Sequence, residues 1–104
     1  MIVVTTEGVA GRRIARTLGI VKGNTVRARD VGSDFLAFLK NLVGGEVQEY
    51  TEVIAQAREQ AQDRMVERAV ELGANGIVGL RFSTTYVTRG TAEIMAYGTA
   101  VILE

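Results

Sequence analysis

Apolar side chains recur at helical spacing through one long stretch of the chain, from about Glu49 to Leu72. The positions that share one face are Val53, Ala57, Ala61, Met65 and Ala69, with Ile54, Val66, Val70 and Leu72 widening the stripe. A repeat of four residues is typical of an amphipathic helix, and Gly73 follows where a positive φ commonly ends one. The pattern predicts a long helix whose small residues allow close packing against a sheet or another helix.

Two β-rich stretches follow this helix, Gly76 to Thr88 and Ala92 to Leu103, and the short link around Arg89-Gly90 predicts an antiparallel hairpin. In the first strand, alternation predicts one shared face for Val78, Leu80, Phe82 and Tyr86. The last strand is apolar on both faces: Ile94, Ala96, Ala100 and Ile102 on one, and Met95, Tyr97, Val101 and Leu103 on the other. This second apolar face needs a cover.

Helices of the chain can cover one side of the sheet, and an antiparallel sheet normally shows water a polar second side. Burying Met95, Tyr97, Val101 and Leu103 against a neighbour would contribute about 1.5–3 kcal/mol each before association costs. These four residues are therefore predicted to form an interface between identical subunits in an assembly of closed symmetry. The alternative is that an N-terminal hairpin folds over this face within one subunit.

The first third of the chain predicts short strands. Ile2 to Thr6 is β-branched and is followed by Glu7-Gly8. Arg13 to Lys22 and Thr25 to Arg29 flank Gly23-Asn24, a two-residue sequence typical of a hairpin turn.

A short helix is predicted next, starting near Asp30 or Ser33 as cap and ending at Gly44-Gly45. With the elements above it gives one α+β domain over residues 1–104: a small antiparallel or mixed sheet with one long and one short helix.

Composition narrows the class of protein. Hydrophobic residues make up 47% of the chain, near the upper end for a globular domain, and there is no cysteine. No basic segment leads into an apolar stretch at the N-terminus, and no apolar run approaches the roughly 20 residues that span a bilayer. We expect a cytoplasmic protein without a membrane partner.

The charge is balanced overall but not along the chain. Twelve basic and twelve acidic residues cancel, yet residues 1–30 have a net charge of +4 and residues 31–75 a net charge of −4. A basic first third can indicate nucleic-acid binding, but zero net charge gives little long-range attraction to it. We expect the two segments to pair with each other, within or between subunits, and we expect no nucleic-acid partner.

Familiar catalytic chemistry is missing. There is no histidine, the usual general base, and Ser33 and Ser83 are not in a nucleophile motif. An enzyme with a self-contained active site is therefore not predicted, which leaves open a composite site at a subunit interface.

One acidic row lies on the long helix, at Glu59, Asp63, Glu67 and Glu71. Like charges four residues apart repel each other, and a bound positive charge would relieve this repulsion. The row could therefore hold a hard divalent cation or receive arginines of an adjacent subunit. The alternative is an ordinary solvated helix face.

Several segments, in order along the whole chain, resemble the YbjQ-like family. They are Leu42-Val43-Gly44-Gly45-Glu46, Glu49-Tyr50, the run from Leu72 to Gly79, and Tyr97-Gly98-Thr99-Ala100-Val101. The family's motif residues fall at Gly44, Gly45, Tyr50, Gly73, Gly79, Gly98 and Thr99.

The resemblance implies a dodecin-like subunit assembled into a closed homopentamer of uncharacterised function, in a family labelled as heavy-metal-binding. Without His or Cys, soft metals lack their preferred ligands here, so no cofactor is predicted. The function expected is a non-enzymatic oligomeric scaffold that binds a small ligand or ion at subunit interfaces. A metal-binding protein using the acidic row is the alternative.

Overall fold

The computed structural model describes residues 1–28, 48–88 and 91–104. The described elements are β1 (Ile2–Val3), β2 (Ile14–Ala28), α1 (Gln48–Glu71), β3 (Gly76–Thr88) and β4 (Thr91–Leu103). The strands form one mixed sheet in the order β1-β3-β4-β2, with β1 parallel to β3 and the other pairs antiparallel. This confirms the small α+β fold with a long helix and a C-terminal hairpin. The predicted short helix lies outside the described residues.

Helix α1 packs across β2 and β4 through the stripe read from the sequence. Ala57, Ala61, Met65 and Ala69 are fully buried. They contact apolar side chains of one sheet face, and we call this cluster the helix-side core: its sheet members include Val21, Ile77, Leu80, Ile94, Ala96 and Ala100. The four-residue repeat is therefore confirmed as the core-facing side of the helix. The prediction that Val70 and Leu72 widen it is wrong, because they are 58% and 51% exposed.

The predicted hairpin around Gly23-Asn24 is wrong, because β2 runs unbroken from Ile14 to Ala28 and pairs with β4 along that length. Gly23 lies inside the strand, opposite Ala96. A Cβ atom there would overlap the carbonyl oxygen of Ala61 and the amide nitrogen of Met65. The glycine is therefore required because the helix lies so close to the strand, and no turn is formed at this position.

The alternation predicted for β3 is also wrong at one point. Gly79 has a φ of +67°, and the pairing with β4 shifts between Val78 and Arg81. This bulge reverses the faces, so Ile77 and Leu80 both join the helix-side core while Val78 points to the opposite face.

A second core lies on the face opposite the helix, at one end of the sheet. Its buried members are Val78, Val101 and Leu103, and the chain's own N-terminal residues Ile2, Val4, Val9 and Ile14 pack against them. Val101 and Leu103 were predicted to need a partner subunit, but the N-terminal segment buries them within the chain. The alternative of an intrachain cover holds at this end of the sheet, although the cover is no hairpin.

The N-terminal segment is fixed by main-chain hydrogen bonds as well as by packing. The predicted strand Ile2 to Thr6 is regular only over Ile2–Val3. Beyond it, the amide of Val4 donates to Ile77 O (2.9 Å), and the amide of Gly79 donates to Thr6 O (2.8 Å). The bulge residue thus also anchors the segment that covers the second core.

Thr25 presents a buried hydroxyl to the helix. The residue is 3% exposed and pairs with Ile94, and its Oγ1 has no hydrogen-bond partner among the described residues. Thr25→Val is expected to raise the free energy of unfolding by about 1 kcal/mol, because a methyl group would replace an unsatisfied polar one. Denaturant titration measures this, with the exposed Thr84→Val as the neutral control. A loss of stability in Thr25→Val alone would show that the hydroxyl has a partner.

Candidate functional site

Beyond the N-terminal cover, the sheet face opposite the helix carries no described layer of the chain. We call this surface the open face. Its central members come from three neighbouring strands: Lys22 and Asn24 on β2, Tyr97 and Met95 on β4, and Arg81 and Ser83 on β3. They alternate with residues of the helix-side core, which fixes their side of the sheet.

One row of the open face crosses all three strands. Lys22 is directly opposite Tyr97, and Tyr97 is directly opposite Arg81. Directly opposed residues in antiparallel pairs have Cβ atoms about 4.5–5.5 Å apart, so the three side chains are neighbours. All three are exposed, and the row places a phenol between two cations.

The Arg81 guanidinium is held in place by main-chain oxygens. Its Nη1 donates to Thr5 O at 2.8 Å and to Leu80 O at 2.7 Å. Its remaining N–H groups make no hydrogen bond within the described part of the chain. Thr5 belongs to the N-terminal cover, so this arginine stands at the boundary between that cover and the open face.

A neighbouring row is occupied by internal contacts. Asn24 Nδ2 donates to Glu93 Oε1 at 3.2 Å, and Arg64 of the helix donates through Nη1 to the Asn24 carbonyl oxygen at 2.5 Å. Glu93 is therefore engaged by an amide, and no described ion pair joins it to Lys22 or Arg81.

The predicted interface residues divide into two pairs. Met95 is half-buried and Tyr97 is exposed on the open face, where the sequence predicted them. Val101 and Leu103 lie on the same face but beneath the N-terminal cover.

The acidic row lies on the outer surface of α1. Glu59, Asp63, Glu67 and Glu71 are all exposed. Twelve residues of helix separate the ends of the row by about 18 Å, so the carboxylates are spread out along the axis. Across residues 1–28, 48–88 and 91–104, no three acidic, His or Cys residues gather to surround one metal ion.

The motif glycines have structural roles where the structure describes them. Gly73, at φ +85°, ends α1: its amide donates to Val70 O at 2.9 Å, and that of Ala74 to Ala69 O at 3.0 Å. The predicted helix stop is confirmed. Gly98 is close-packed, because a Cβ there would lie 2.8 Å from Ile77 Cγ2.

Of the remaining motif residues, Thr99 is described in full, whereas Tyr50, Gly44 and Gly45 are described in part or not at all. Thr99 lies on the open face, opposite both Ile20 and Val78. Tyr50 belongs to α1, but its side chain is outside the described part, as are Gly44 and Gly45.

Asn75, which the sequence analysis did not single out, joins three segments. Its Nδ2 donates to Leu103 O (2.9 Å) and its Oδ1 accepts from Leu103 N (2.7 Å). Its carbonyl oxygen accepts from Ile2 N at 3.1 Å. The side chain extends the β3–β4 pairing by imitating a backbone, a role that only the final register reveals.

The basic N-terminal third does not pair with the acidic middle third in the described residues. The ion pair there joins Arg13 to Glu104, and Arg12 Nε donates to the Glu104 carbonyl oxygen at 2.8 Å. These contacts fix the end of β4 beside the start of β2. They leave Lys22 and Arg81 without a carboxylate partner in the described part of the chain.

A groove of about 300 Å³ runs beside the edge of β2 at the C-terminal end of α1. It is lined by Ile20, Val21, Lys22, Arg68, Glu71 and Leu72. The groove is lined by side chains of opposite charge, Arg68 and Glu71. Its lining therefore does not favour either an anionic or a cationic ligand. None of the helical segments that the structure describes is long and apolar enough to traverse a bilayer.

Relatives of this chain are found across bacteria and archaea. UPF0145 proteins of Halorubrum lacusprofundi and Thermus thermophilus are 55% identical over 98 residues and 53% identical over 104 residues. These matches cover 94% of both chains in the first case, and 100% of this chain and 91% of the relative in the second.

A crystal structure from Pediococcus pentosaceus, described as a protein of unknown function in the DUF74 family, has a TM-score of 0.70. The match covers 100% of this chain and 98% of that chain at 18% identity, so it shows the fold alone. The family whose description reads "Putative heavy-metal-binding" matches residues 1–104 in full. Together with relatives more than half identical, this match shows that the chain belongs to the YbjQ family of UPF0145 proteins.

Proposed function

We propose that this protein is a non-enzymatic homo-oligomeric scaffold that binds a small ligand or ion where its subunits meet. The observation that supports the assembly is the long free edge of β2. No described strand pairs with its outer side over fifteen residues, Ile14–Ala28. Ile20 is 79% exposed and Val26 is 60% exposed on this strand. Long edges with exposed apolar side chains are sites of strand pairing between chains.

The opposite side of the sheet offers a second edge. The N-terminal segment occupies the outer side of β3 as far as Leu80, whose amide donates to Val4 O at 3.1 Å. Further along, no described strand pairs with the outer side of β3, where Tyr86 is 73% exposed. Each subunit therefore has two different edges available.

The shape of the chain also supports an assembly. Its Cα radius of gyration is 17.2 Å, whereas a compact domain of this length would have about 13 Å. The chain extends over 55 × 23 × 16 Å, and such an elongated subunit has more surface for a neighbouring copy to cover than a compact one of the same length.

The two edges differ, so pairing β2 of one copy with β3 of the next is head-to-tail. Repeated contacts of this kind either close into a ring or continue as a filament. A closed ring is the proposal here, and five subunits are the number that the family resemblance implies.

The absence of His and Cys from the sequence argues for a binding role over catalysis. A composite interface site built from Arg, Asp and Tyr is the enzymatic alternative. The family's description favours metal binding, but the exposed carboxylates of α1 would need ligands from a neighbouring copy to enclose an ion.

Light scattering coupled to size exclusion tests the assembly. The wild type is expected to have a mass several times 11.2 kDa, and Ile20→Lys with Val26→Lys should shift it toward the monomer, because edge charges oppose strand pairing. Val70→Lys is the matched control, since Val70 is a similarly exposed apolar residue on the helix. A wild-type monomer at micromolar concentration would overturn the proposal. Native mass spectrometry of protein purified without added metal would show any ligand or ion retained by the assembly.

A further inference from the structure

We propose that the Lys22–Tyr97–Arg81 row of the open face binds the phosphate group of a small phosphate monoester. The proposal does not depend on assembly, because all three residues belong to one subunit. It names a site that neither the family motif nor the acidic row includes.

The strand register puts the donors at the right spacing. Tyr97 is on the central strand, and Lys22 and Arg81 are its direct partners on either side. Two steps of about 4.5–5.5 Å separate the Cβ atoms of the two cations by about 10 Å. Both cationic side chains are long enough to bring their heads together above the Tyr97 ring, beside its hydroxyl.

The three groups share one kind of chemistry. An ammonium group and a guanidinium group are hydrogen-bond donors only, and a phenol can donate its O–H. Such a set suits an anion with several acceptor oxygens and does not suit a cation. Arginine presents a planar fork that matches phosphate oxygens, and its bonds to anions are charge-assisted.

Arg81 is oriented before any ligand arrives. Two carbonyl oxygens hold its Nη1, at 2.8 Å and 2.7 Å, which leaves the other guanidinium nitrogens to bind. Holding one side of the group lowers the entropy lost when an anion binds. Lys22 and Tyr97 make no side-chain hydrogen bond or ion pair with any described residue, so no internal contact must break.

Charge on this face is unbalanced around the row. Two described carboxylates lie near the row: Glu93, which accepts from Asn24, and Glu71 of α1, which lines the groove at the edge of β2 together with Lys22. Neither forms an ion pair with the row. Two cations flanking one phenol repel each other until an anion neutralises them.

Apolar residues beside the row favour binding of a phosphate ester over binding of inorganic phosphate. Ile20 and Met95 lie on the same face in the adjoining positions, and Ile20 is largely exposed. An apolar group attached to the phosphate would contact them, and burial of that group adds to the binding free energy.

Titration of ¹⁵N-labelled protein with sodium phosphate and with phenyl phosphate, at constant ionic strength, tests the proposal by NMR. Saturable shifts are expected at amides around Lys22, Tyr97 and Arg81, with phenyl phosphate binding more tightly than phosphate. Lys22→Gln should weaken binding at least about tenfold, because hydrogen bonds to charged groups are strong. Arg58→Gln, which removes an exposed cation from the helix, is the matched control and should bind like the wild type.

Arg81→Gln is expected to weaken binding similarly, but it also removes the contact with Thr5. Lys22→Gln, whose side chain has no such contact, therefore decides the test. Equal binding by Lys22→Gln, Arg58→Gln and wild type would overturn the site, as would shifts that do not saturate. The scattering experiment reports on the assembly separately, so a monomer that still binds phosphate would reject the scaffold and retain this site.

Discussion

Replacing Gly23 with alanine is expected to prevent α1 from packing against the sheet. The added Cβ would overlap the main chain of the helix at Ala61 and Met65, and it would lie 2.9 Å from Arg64 Cβ. A main-chain clash cannot be relieved by a rotamer change, so helix and strand must separate. Separation would open the helix-side core, and we expect a loss of more than about 3 kcal/mol in the free energy of unfolding. This is a large part of the stability of a small domain.

Thermal and denaturant unfolding followed by circular dichroism measure this loss. Gly8→Ala is the matched control, because a Cβ at Gly8 meets nothing within 4 Å and Gly8 does not have a positive φ. If Gly23→Ala were as stable as Gly8→Ala, the helix would not lie as closely on β2 as the structure shows.

Val101→Asp is expected to unfold the subunit, whereas Tyr97→Asp should leave it folded. Val101 is buried in the second core with Val78 and Leu103. The described residues of this core are all apolar, so a carboxylate there would be buried among them at a cost of at least about 3 kcal/mol. Tyr97 is exposed on the same strand and the same face, so its replacement puts the new charge in water.

The two variants separate subunit stability from assembly. Far-UV circular dichroism and a melting curve report the fold, and light scattering reports the mass. A Val101→Asp protein that keeps the wild-type melting temperature and merely loses its partners would place Val101 at an interface, as the strand pattern alone suggested. The intrachain cover by Ile2, Val4, Val9 and Ile14 would then be wrong.

The parts of the fold that depend on local periodicity could be predicted from sequence. The four-residue repeat through Ala57, Ala61, Met65 and Ala69 indicated the buried face of α1, and alternation indicated both strands of the final hairpin. Gly73 was predicted as the helix stop because that conformation depends on the residue itself.

What could not be predicted depends on contacts between distant segments. Gly23-Asn24 looks the same whether glycine forms a turn or lets a helix approach, and the helix residues that Gly23 meets, Ala61 and Met65, lie about forty residues further along. The cover over Val101 and Leu103 comes from the other end of the chain. The Lys22–Tyr97–Arg81 row requires the register of three strands and the bulge at Gly79, because a shift of one residue would put Arg81 on the other face.

The position of β4 in the sheet determines when the sheet can form during synthesis of the chain. β4 comes last among the described strands, yet it lies between β3 and β2 and is the described partner of both. Ile14 pairs with Leu103, so β2 emerges from the ribosome well before the strand that completes it. At a translation rate of about 5–20 residues per second, β2 is without its partner strand β4 for several seconds. During that interval its apolar residues are available to other nascent chains, and neighbouring ribosomes on one message could bring such chains together.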